Sequence, residues 1–312
     1  MKSVLVTGGA GFIGSHLCYH LIEKGYFVYC VDNLHEGSLE NIKQLINHER
    51  FKFYHHDIIN EISLKVEIIF NFACPASPIN YQRNPIKTFK TNVIGTLNMI
   101  ELALKNNAVL FQASTSEVYG DSQVHPQNEE YWGNVNPIGF RSCYDEGKRA
   151  AESILFDYHR ELGLKIKVIR IFNTYGPNMR MHDGRAISNF INQALNNESI
   201  TIYGNGTQTR SFCYIDDLIR AIFKMIETDD SITGPINIGN PCETSIMDIA
   251  ALIVEKCQSK SNIIFNELPK DDPKQRKPDI QKAKEILNWE PTWSLNDGIE
   301  KTIKYYKGIK RI

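Results

Sequence analysis

Short apolar runs recur along the first half of the chain, and between them apolar residues return every third or fourth position. The runs predict strands buried on both faces, and the longer spacing predicts amphipathic helices. Val4-Leu5-Val6 opens the series, and Ile13, Leu17 and Leu21 mark one face of a following helix. Phe27 to Val31 predicts a second strand ending at Asp32, Phe51 to His55 a third and Val66 to Ala73 a fourth. Val109 to Ala113 and Ile166 to Phe172 predict the fifth and sixth. Helices are expected at Leu39, Ile42, Leu45 and Ile46 within the polar stretch Asn33 to Arg50, over Pro85 to Lys105, and over Tyr144 to Leu162. Strands alternating with helices imply βαβ units and right-handed crossovers, hence an α/β fold on a doubly wound parallel sheet.

Beyond about Gly176 the pattern is less regular. Ile187 to Leu195, Asp217 to Glu227, Met247 to Cys257 and Asp279 to Leu287 are helical in spacing. Ser199 to Tyr203, the stretch closed by Asn237-Ile238-Gly239, and Asn262 to Glu267 are extended, and Gly204-Asn205-Gly206 is a turn. No linker or repeat interrupts the chain. The expected organisation is a first domain over 1-172, rejoined by segments near 211-240, and a smaller α/β lobe over 173-312 covering its open side.

The polar clusters follow the strands, and in a parallel sheet ligands bind outside the carboxyl ends of the strands. After the first strand comes Thr7-Gly8-Gly9-Ala10-Gly11-Phe12-Ile13-Gly14, with glycines spaced G-x-x-G-x-x-G. Gly8 permits a tight turn, Gly11 lets backbone approach a pyrophosphate, and Gly14 lets helix and strand pack closely. The helix start offers unpaired N–H groups and a positive dipole end to an anion. Asp32, 18 residues after Gly14, is placed to accept hydrogen bonds from an adenosine ribose, which favours NAD over NADP. This is a Rossmann-type fingerprint. Asp57, after the third strand, is either an adenine-edge contact or a helix-cap or turn aspartate.

Composition narrows the function classes. The 312 residues are 42% hydrophobic and 23% charged with net charge -1. That balance gives no basic field to attract nucleic acid or a membrane surface. The odd cysteine count, at positions 18, 30, 74, 143, 213, 242 and 257, has no C-x-x-C spacing and predicts reduced thiols. A strand at the very start leaves no signal peptide, and no apolar run has the roughly 18 residues of a membrane span. A cytoplasmic protein is expected.

Tyr144-Asp145-Glu146-Gly147-Lys148 sets a tyrosine and a lysine on one helix face. A lysine beside a phenol lowers its pKa, whereas a free phenol near pKa 10 is a poor base at neutral pH. By itself the pair is common in helices. Here it follows the glycine fingerprint and the strand-end cluster Ser114-Thr115-Ser116-Glu117.

Together these features resemble the extended short-chain dehydrogenase/reductase family over nearly the whole chain. The blocks Ala73-Cys74-Pro75-Ala76-Ser77-Pro78, Ser114 to Asp121, Glu130 to Pro137, Arg141 to Arg149 and Arg170 to Pro177 resemble its branch that decarboxylates UDP-glucuronate. One departure is Asn71-Phe72-Ala73, where relatives often carry His-Leu-Ala. The resemblance implies NAD as bound cofactor and a UDP-sugar as substrate. It implies that Tyr144, assisted by Lys148, takes the proton of the sugar 4-hydroxyl, and that Thr115 hydrogen-bonds the same oxygen. The resulting ketone lies β to a carboxylate, which leaves as CO2. Related dehydratases carry Asp-Glu after the threonine, and the aspartate protonates a departing hydroxyl. Ser116-Glu117 here fits a decarboxylase, which expels none. Glu117 either moves a proton at C5 or holds its loop.

Further contacts are implied by the resemblance alone. For the cofactor these are Phe12, Ile13, Asn33, Asp57, Ile58, Ala73 and Thr91. For the substrate they are Asn173, Arg185, Arg210 and Arg276 near the diphosphate and hydroxyls, Tyr203 stacked on uracil, and Ser77, Tyr81 and Arg83 near the sugar carboxylate. The apolar stripes of Lys87 to Lys105 and Tyr144 to Leu162 either pair into an intersubunit four-helix bundle, giving a homodimer, or face the core. A UDP-hexose or UDP-uronate 4-epimerase, a 4,6-dehydratase and a non-catalytic nucleotide binder are the alternatives.

Overall fold

The computed structural model describes residues 1–268 and 275–310. The order begins β1 (Ser3–Thr7), α1 (Phe12–Glu23), β2 (Phe27–Asp32), β3 (Phe51–His55) and β4 (Ile68–Asn71). Next come α2 (Pro78–Arg83), α3 (Pro85–Asn106), β5 (Val109–Thr115), α4 (Ser142–Leu162) and β6 (Ile166–Ile171). Then follow β7 (Thr174–Tyr175), α5 (Ala186–Asn196), β8 (Ile200–Tyr203), β9 (Thr209–Ser211), β10 (Cys213–Tyr214) and α6 (Ile215–Ile226). The last are β11 (Ile236–Ile238), β12 (Glu243–Ser245), α7 (Ile246–Cys257), β13 (Ile263–Asn266), α8 (Gln281–Leu287) and α9 (Leu295–Lys310).

Seven strands form one parallel sheet in the order β11-β6-β5-β4-β1-β2-β3. Successive side chains of a strand point to opposite faces. Val4 and Val6 of β1 therefore join one buried cluster, with Leu17 and Leu21 of α1 and Leu218 and Ile222 of α6. Leu5 joins the other, with Met99 and Ala103 of α3 and Leu155 of α4. Both faces are covered, so the strands read as continuous apolar runs. The order reverses between β1 and β4, and the polar clusters after β1, β2, β3, β4, β5 and β6 gather outside the carboxyl edge.

Several local expectations change. Asn33 to Arg50 holds only a single turn of 3-10 helix, Leu39–Ile42. The Ser38 N–H and the Asn41 amide both donate to the Ala10 carbonyl, at 3.0 and 2.9 Å, so the segment is tied down over the glycine turn. The loop after β4 forms α2, with Pro78 at its first turn, where the missing N–H costs nothing. α9 has no counterpart in the sequence reading. It buries Ile299, Ile303 and Tyr306, a helical stripe interrupted by charges. Ahead of it, buried Asp217 of α6 accepts the Thr292 N–H at 3.0 Å, the Thr292 hydroxyl at 3.0 Å and the Trp293 N–H at 3.0 Å. That carboxylate anchors the last segment to α6. Asn71 is a structural substitute inside the sheet. It accepts from the Thr7 hydroxyl at 2.8 Å and donates to Gln112 at 2.8 Å.

Candidate active site

The turn after β1 is built as its glycines require. Gly8 has φ +66, and its N–H donates to Val31 at 2.8 Å. A Cβ on Gly14 would lie 2.2 Å from the Gly8 carbonyl oxygen. α1 therefore starts against the turn, and its first residues line a cavity of ≈ 150 Å³. Gly8, Gly11, Phe12, Ile13 and Gly14 line it on one side. Asp32, Asn33, Asp57 and Ile58 line it at the ends of β2 and β3, and Ala73 and Thr91 close it from β4 and α3. The Asp32 carboxylate accepts the N–H groups of Ala10 and Leu34, at 3.0 and 2.8 Å, and burial pushes its carboxyl up. Asp57 does two things at once. One oxygen accepts the Ile59 N–H at 3.2 Å, a turn; the other accepts from Asn33 at 3.0 Å and from the Lys87 ammonium. Anion-binding backbone beside two strand-end carboxylates suits an adenosine diphosphate moiety. Sequence reasoning missed Lys87, Glu36 and Asn178 on this wall, which carry no motif of their own.

A second cavity of ≈ 430 Å³ adjoins the first. Ile13, Phe72, Cys74, Ala76 and Arg185 line both. Thr115, Ser116 and Glu117 enter from β5 and the 3-10 turn after it, Tyr144 and Lys148 from α4, and Asn173 from the end of β6. Arg185, Tyr203, Arg210 and Arg276 bring the smaller lobe to the same space. Ser77 and Tyr81 correct the expectation made for them: neither lines the cavity. Both are buried, and the Tyr81 ring stacks on Tyr144 with centroids 5.0 Å apart and planes 6° apart. Tyr81 lies behind the tyrosine because α2 folds the loop inward. Arg83 is exposed on α2.

The Tyr144 phenol and Thr115 line the same cavity. Lys148 is buried, donates to the Ala113 carbonyl at 2.8 Å, and lies 5.9 Å from the Tyr144 ring centre. Burial lowers the Lys148 pKa and pushes the phenol up, with the Cys74 thiol adding to the rise. Burial, rather than the lysine, sets the direction at the phenol.

Glu117 sits between two arginines. Arg141 donates to it at 2.8 Å and Arg276 at 2.9 Å. Burial opposes its charge, yet Arg276 and then Arg141 hold the carboxyl below its usual range. Arg276 also donates to Asn173 at 3.2 Å. Arg185 forms a two-pronged pair with buried Asp183, one contact at 2.9 Å. Arg141 had no assigned role in the sequence. Its signal was its position three residues before Tyr144, at the N-cap of α4.

A family model for GDP-mannose 4,6 dehydratase matches residues 5–302. The chain belongs to the extended short-chain dehydrogenase/reductase family. UDP-glucuronic acid decarboxylase 6 of Arabidopsis thaliana is 54% identical over 297 residues, 95% of this chain and 86% of the relative. UDP-glucuronic acid decarboxylase 1 of Danio rerio is 50% identical, over 98% of this chain and 72% of its own length. A Bacillus cereus UDP-glucuronic acid 4-epimerase, solved with UDP-glucuronic acid and NAD, has TM-score 0.88 and 32% identity, covering 98% of this chain and 99% of its own. The UDP-glucose 4-epimerase of Thermotoga maritima, solved with UDP-glucose, superposes with TM-score 0.90 at 32% identity, over 99% of both chains. Among the described residues of this family member, no helix is long and apolar enough to cross a membrane.

Proposed function

We propose that the protein converts UDP-glucuronate to UDP-xylose, with loss of CO2 and with NAD as a resident cofactor. One observation carries the reading: a tyrosine–threonine–lysine set and a glutamate clasped by two arginines line one cavity, beside a nucleotide-binding glycine turn. The 50 to 54% identity to decarboxylases adds weight.

Gly8, Gly11, Phe12, Ile13, Gly14, Asp32, Asn33, Asp57, Ile58, Ala73 and Thr91 would hold the cofactor. When bound, NAD supplies reversible hydride acceptance at a sugar carbon and, in its oxidised form, a positive charge. Tyr144 takes the proton from the 4-hydroxyl, and Thr115 hydrogen-bonds that oxygen. Lys148, fixed on the Ala113 carbonyl, keeps a donor beside the phenol. The 4-ketone is β to the C5 carboxylate, so the electrons of the breaking C–C bond move into the carbonyl as an enolate. Charge then develops on the oxygen next to Thr115 and Tyr144, where fixed donors are most effective. Glu117, held ionised by its arginines, positions a water that delivers the proton at C5, and Ser116 supplies a neutral hydroxyl where a third carboxylate would repel the substrate. Asn173, Arg185, Arg210 and Arg276 bind the diphosphate and hydroxyls, and half-exposed Tyr203 stacks on uracil.

On this reading residues 1–172, with 211–240, form the cofactor domain, and 173–312 the sugar-nucleotide lobe. We also propose a cytoplasmic homodimer joined through α3 and α4. Ile86, Phe89 and Ile94 of α3 are exposed, which supports the pairing of apolar stripes into a four-helix bundle.

The test is incubation with UDP-glucuronate and catalytic NAD+. CO2 and UDP-xylose without net NADH support the reading. UDP-galacturonate without gas moves it to the epimerase, the alternative favoured by the likeness to the Bacillus cereus enzyme.

A further inference from the structure

Three polar residues stand side by side across the sheet. Ser114 of β5, Arg170 of β6 and Asn237 of β11 are register partners on adjacent strands, so their side chains share one face. Such a row is costly to bury unless its donors and acceptors are paired. Arg170 takes a two-pronged hold on Glu152 of α4, at 3.0 and 2.7 Å. It also donates to the Tyr119 hydroxyl at 2.9 Å and to the Glu129 carbonyl at 3.3 Å. Glu152 accepts from Ser114 as well. The Tyr119 hydroxyl donates to Asn237 Oδ1 at 2.7 Å, and the Asn237 amide donates to the carbonyls of Gln127 and Asp279, at 3.0 and 3.2 Å. The directions are forced. A guanidinium only donates, so the phenol oxygen accepts from Arg170 and has its one proton left for Asn237. Tyr119, Glu152 and Asn237 are buried, and neither they nor Arg170 line either cavity.

Both ends of the Tyr119–Asn237 link lead to the cavity. Tyr119 closes the single turn that carries Glu117. Gln127 and Asp279 hold the segment that carries Arg276. Gln127 exchanges two hydrogen bonds with Lys277, at 2.8 and 2.7 Å, and its carbonyl accepts the Asp279 N–H at 2.8 Å. Arg276, the residue before Lys277, then meets Glu117 at 2.9 Å across 159 positions of sequence.

We propose that the Tyr119 hydroxyl is a positioning group for proton return at C5: by joining the Glu117 turn to the Arg276 segment through Asn237, it fixes where the Glu117 carboxylate holds its water. This rests on the proposed decarboxylation. In that reaction the C4 hydride goes to the cofactor, the hydroxyl proton goes to Tyr144, and the C5 carboxylate leaves as CO2. A proton from water must then reach C5 before the hydride returns to C4 and the Tyr144 proton to the 4-oxygen. Only the second half uses Glu117. Arg141 holds the same carboxylate from α4, so loss of the hydroxyl shifts Glu117 without releasing it. Tyr119→Phe keeps the ring that packs on Phe172 and Tyr131, and Arg170 keeps Glu152 and the Glu129 carbonyl. It cuts the link from Arg170 to Asn237.

The experiment is a single turnover with NAD-loaded protein in excess over UDP-glucuronate, following CO2 and the rise and decay of bound NADH. In Y119F the rise and the CO2 release should keep their wild-type rates. The decay should slow about ten- to a hundredfold, as expected for a misplaced reacting group. Asp217→Ala, which loosens the anchor on α6 instead, should leave the ratio of rise to decay at its wild-type value. Equal slowing of rise and decay in Y119F, or no slowing, overturns the inference. If Y119F does not fold, N237S, which cuts the same link from its other side, carries the same expectation. A wild type that releases no CO2 sinks the decarboxylase reading and the inference with it. A wild type that releases CO2 beside a Y119F with unaltered decay sinks the inference alone.

Discussion

Replacing Gly14 by alanine tests the cofactor cradle directly. The added Cβ would sit 2.2 Å from the Gly8 carbonyl oxygen, 2.8 Å from its carbon and 2.8 Å from the Gly9 Cα. All three atoms are backbone, so no rotamer change relieves the overlap, and α1 must withdraw from the turn. Overpacking of this sort costs about 1–3 kcal/mol. At about 2–4 °C per kcal/mol for a large domain, Tm should fall by about 2–12 °C. The same withdrawal carries the first N–H groups of α1 away from the anion they would bind. NAD at a hundred times its Kd stabilises a protein by about 2.7 kcal/mol. A tenfold weaker site forfeits about 1.4 kcal/mol of that, roughly half the NAD-induced rise in Tm. Thermal melts with and without NAD measure both effects. Gly308→Ala in α9 is the control, since nothing lies within 4 Å of its added Cβ. It should gain up to about 1 kcal/mol from helix propensity and keep the full NAD response. A G14A protein that melts like the wild type, or responds fully to NAD, refutes the close-approach argument.

Glu117→Gln should lower CO2 release sharply while NAD still raises Tm. It should also cost about 3–5 kcal/mol in chemical denaturation, because Arg141 and Arg276 stay buried and lose the carboxylate to which both donate. Asp217→Ala strands the Thr292 and Trp293 N–H groups, at about 1–3 kcal/mol each; the denaturation midpoint should drop with KM for UDP-glucuronate unchanged. Glu36 is pushed up to about 7 by burial and by Asp183. A carboxyl raised on folding stabilises below its unfolded pKa and loses that contribution as pH rises through the folded value. E36Q should therefore gain in Tm relative to the wild type between about pH 4.5 and about pH 7, and a constant difference would contradict this. Ile86→Asp with Phe89→Asp should give a monomer by light scattering; an unaltered dimer would place the interface elsewhere.

The alternation of apolar runs with helical stripes was enough to determine the parallel sheet, because strands covered on both faces have no polar side to hide the pattern. The glycine spacing, Asp32, Thr115 and the Tyr144–Lys148 pair were legible too, since each depends on neighbours in sequence: a turn, a strand end, one helical turn. Tertiary structure decided what depends on distant segments. Arg141 and Arg276 meet on Glu117 only because the C-terminal segment returns across the sheet edge. Tyr81 backs Tyr144 rather than lining the cavity because α2 folds inward. Burial, which no local pattern reports, governs both Tyr144 and Asp145. Chemistry carried by adjacent residues is written in their order, whereas the charge balance of the cavity comes from groups far apart in sequence that the fold brings together and shields from water.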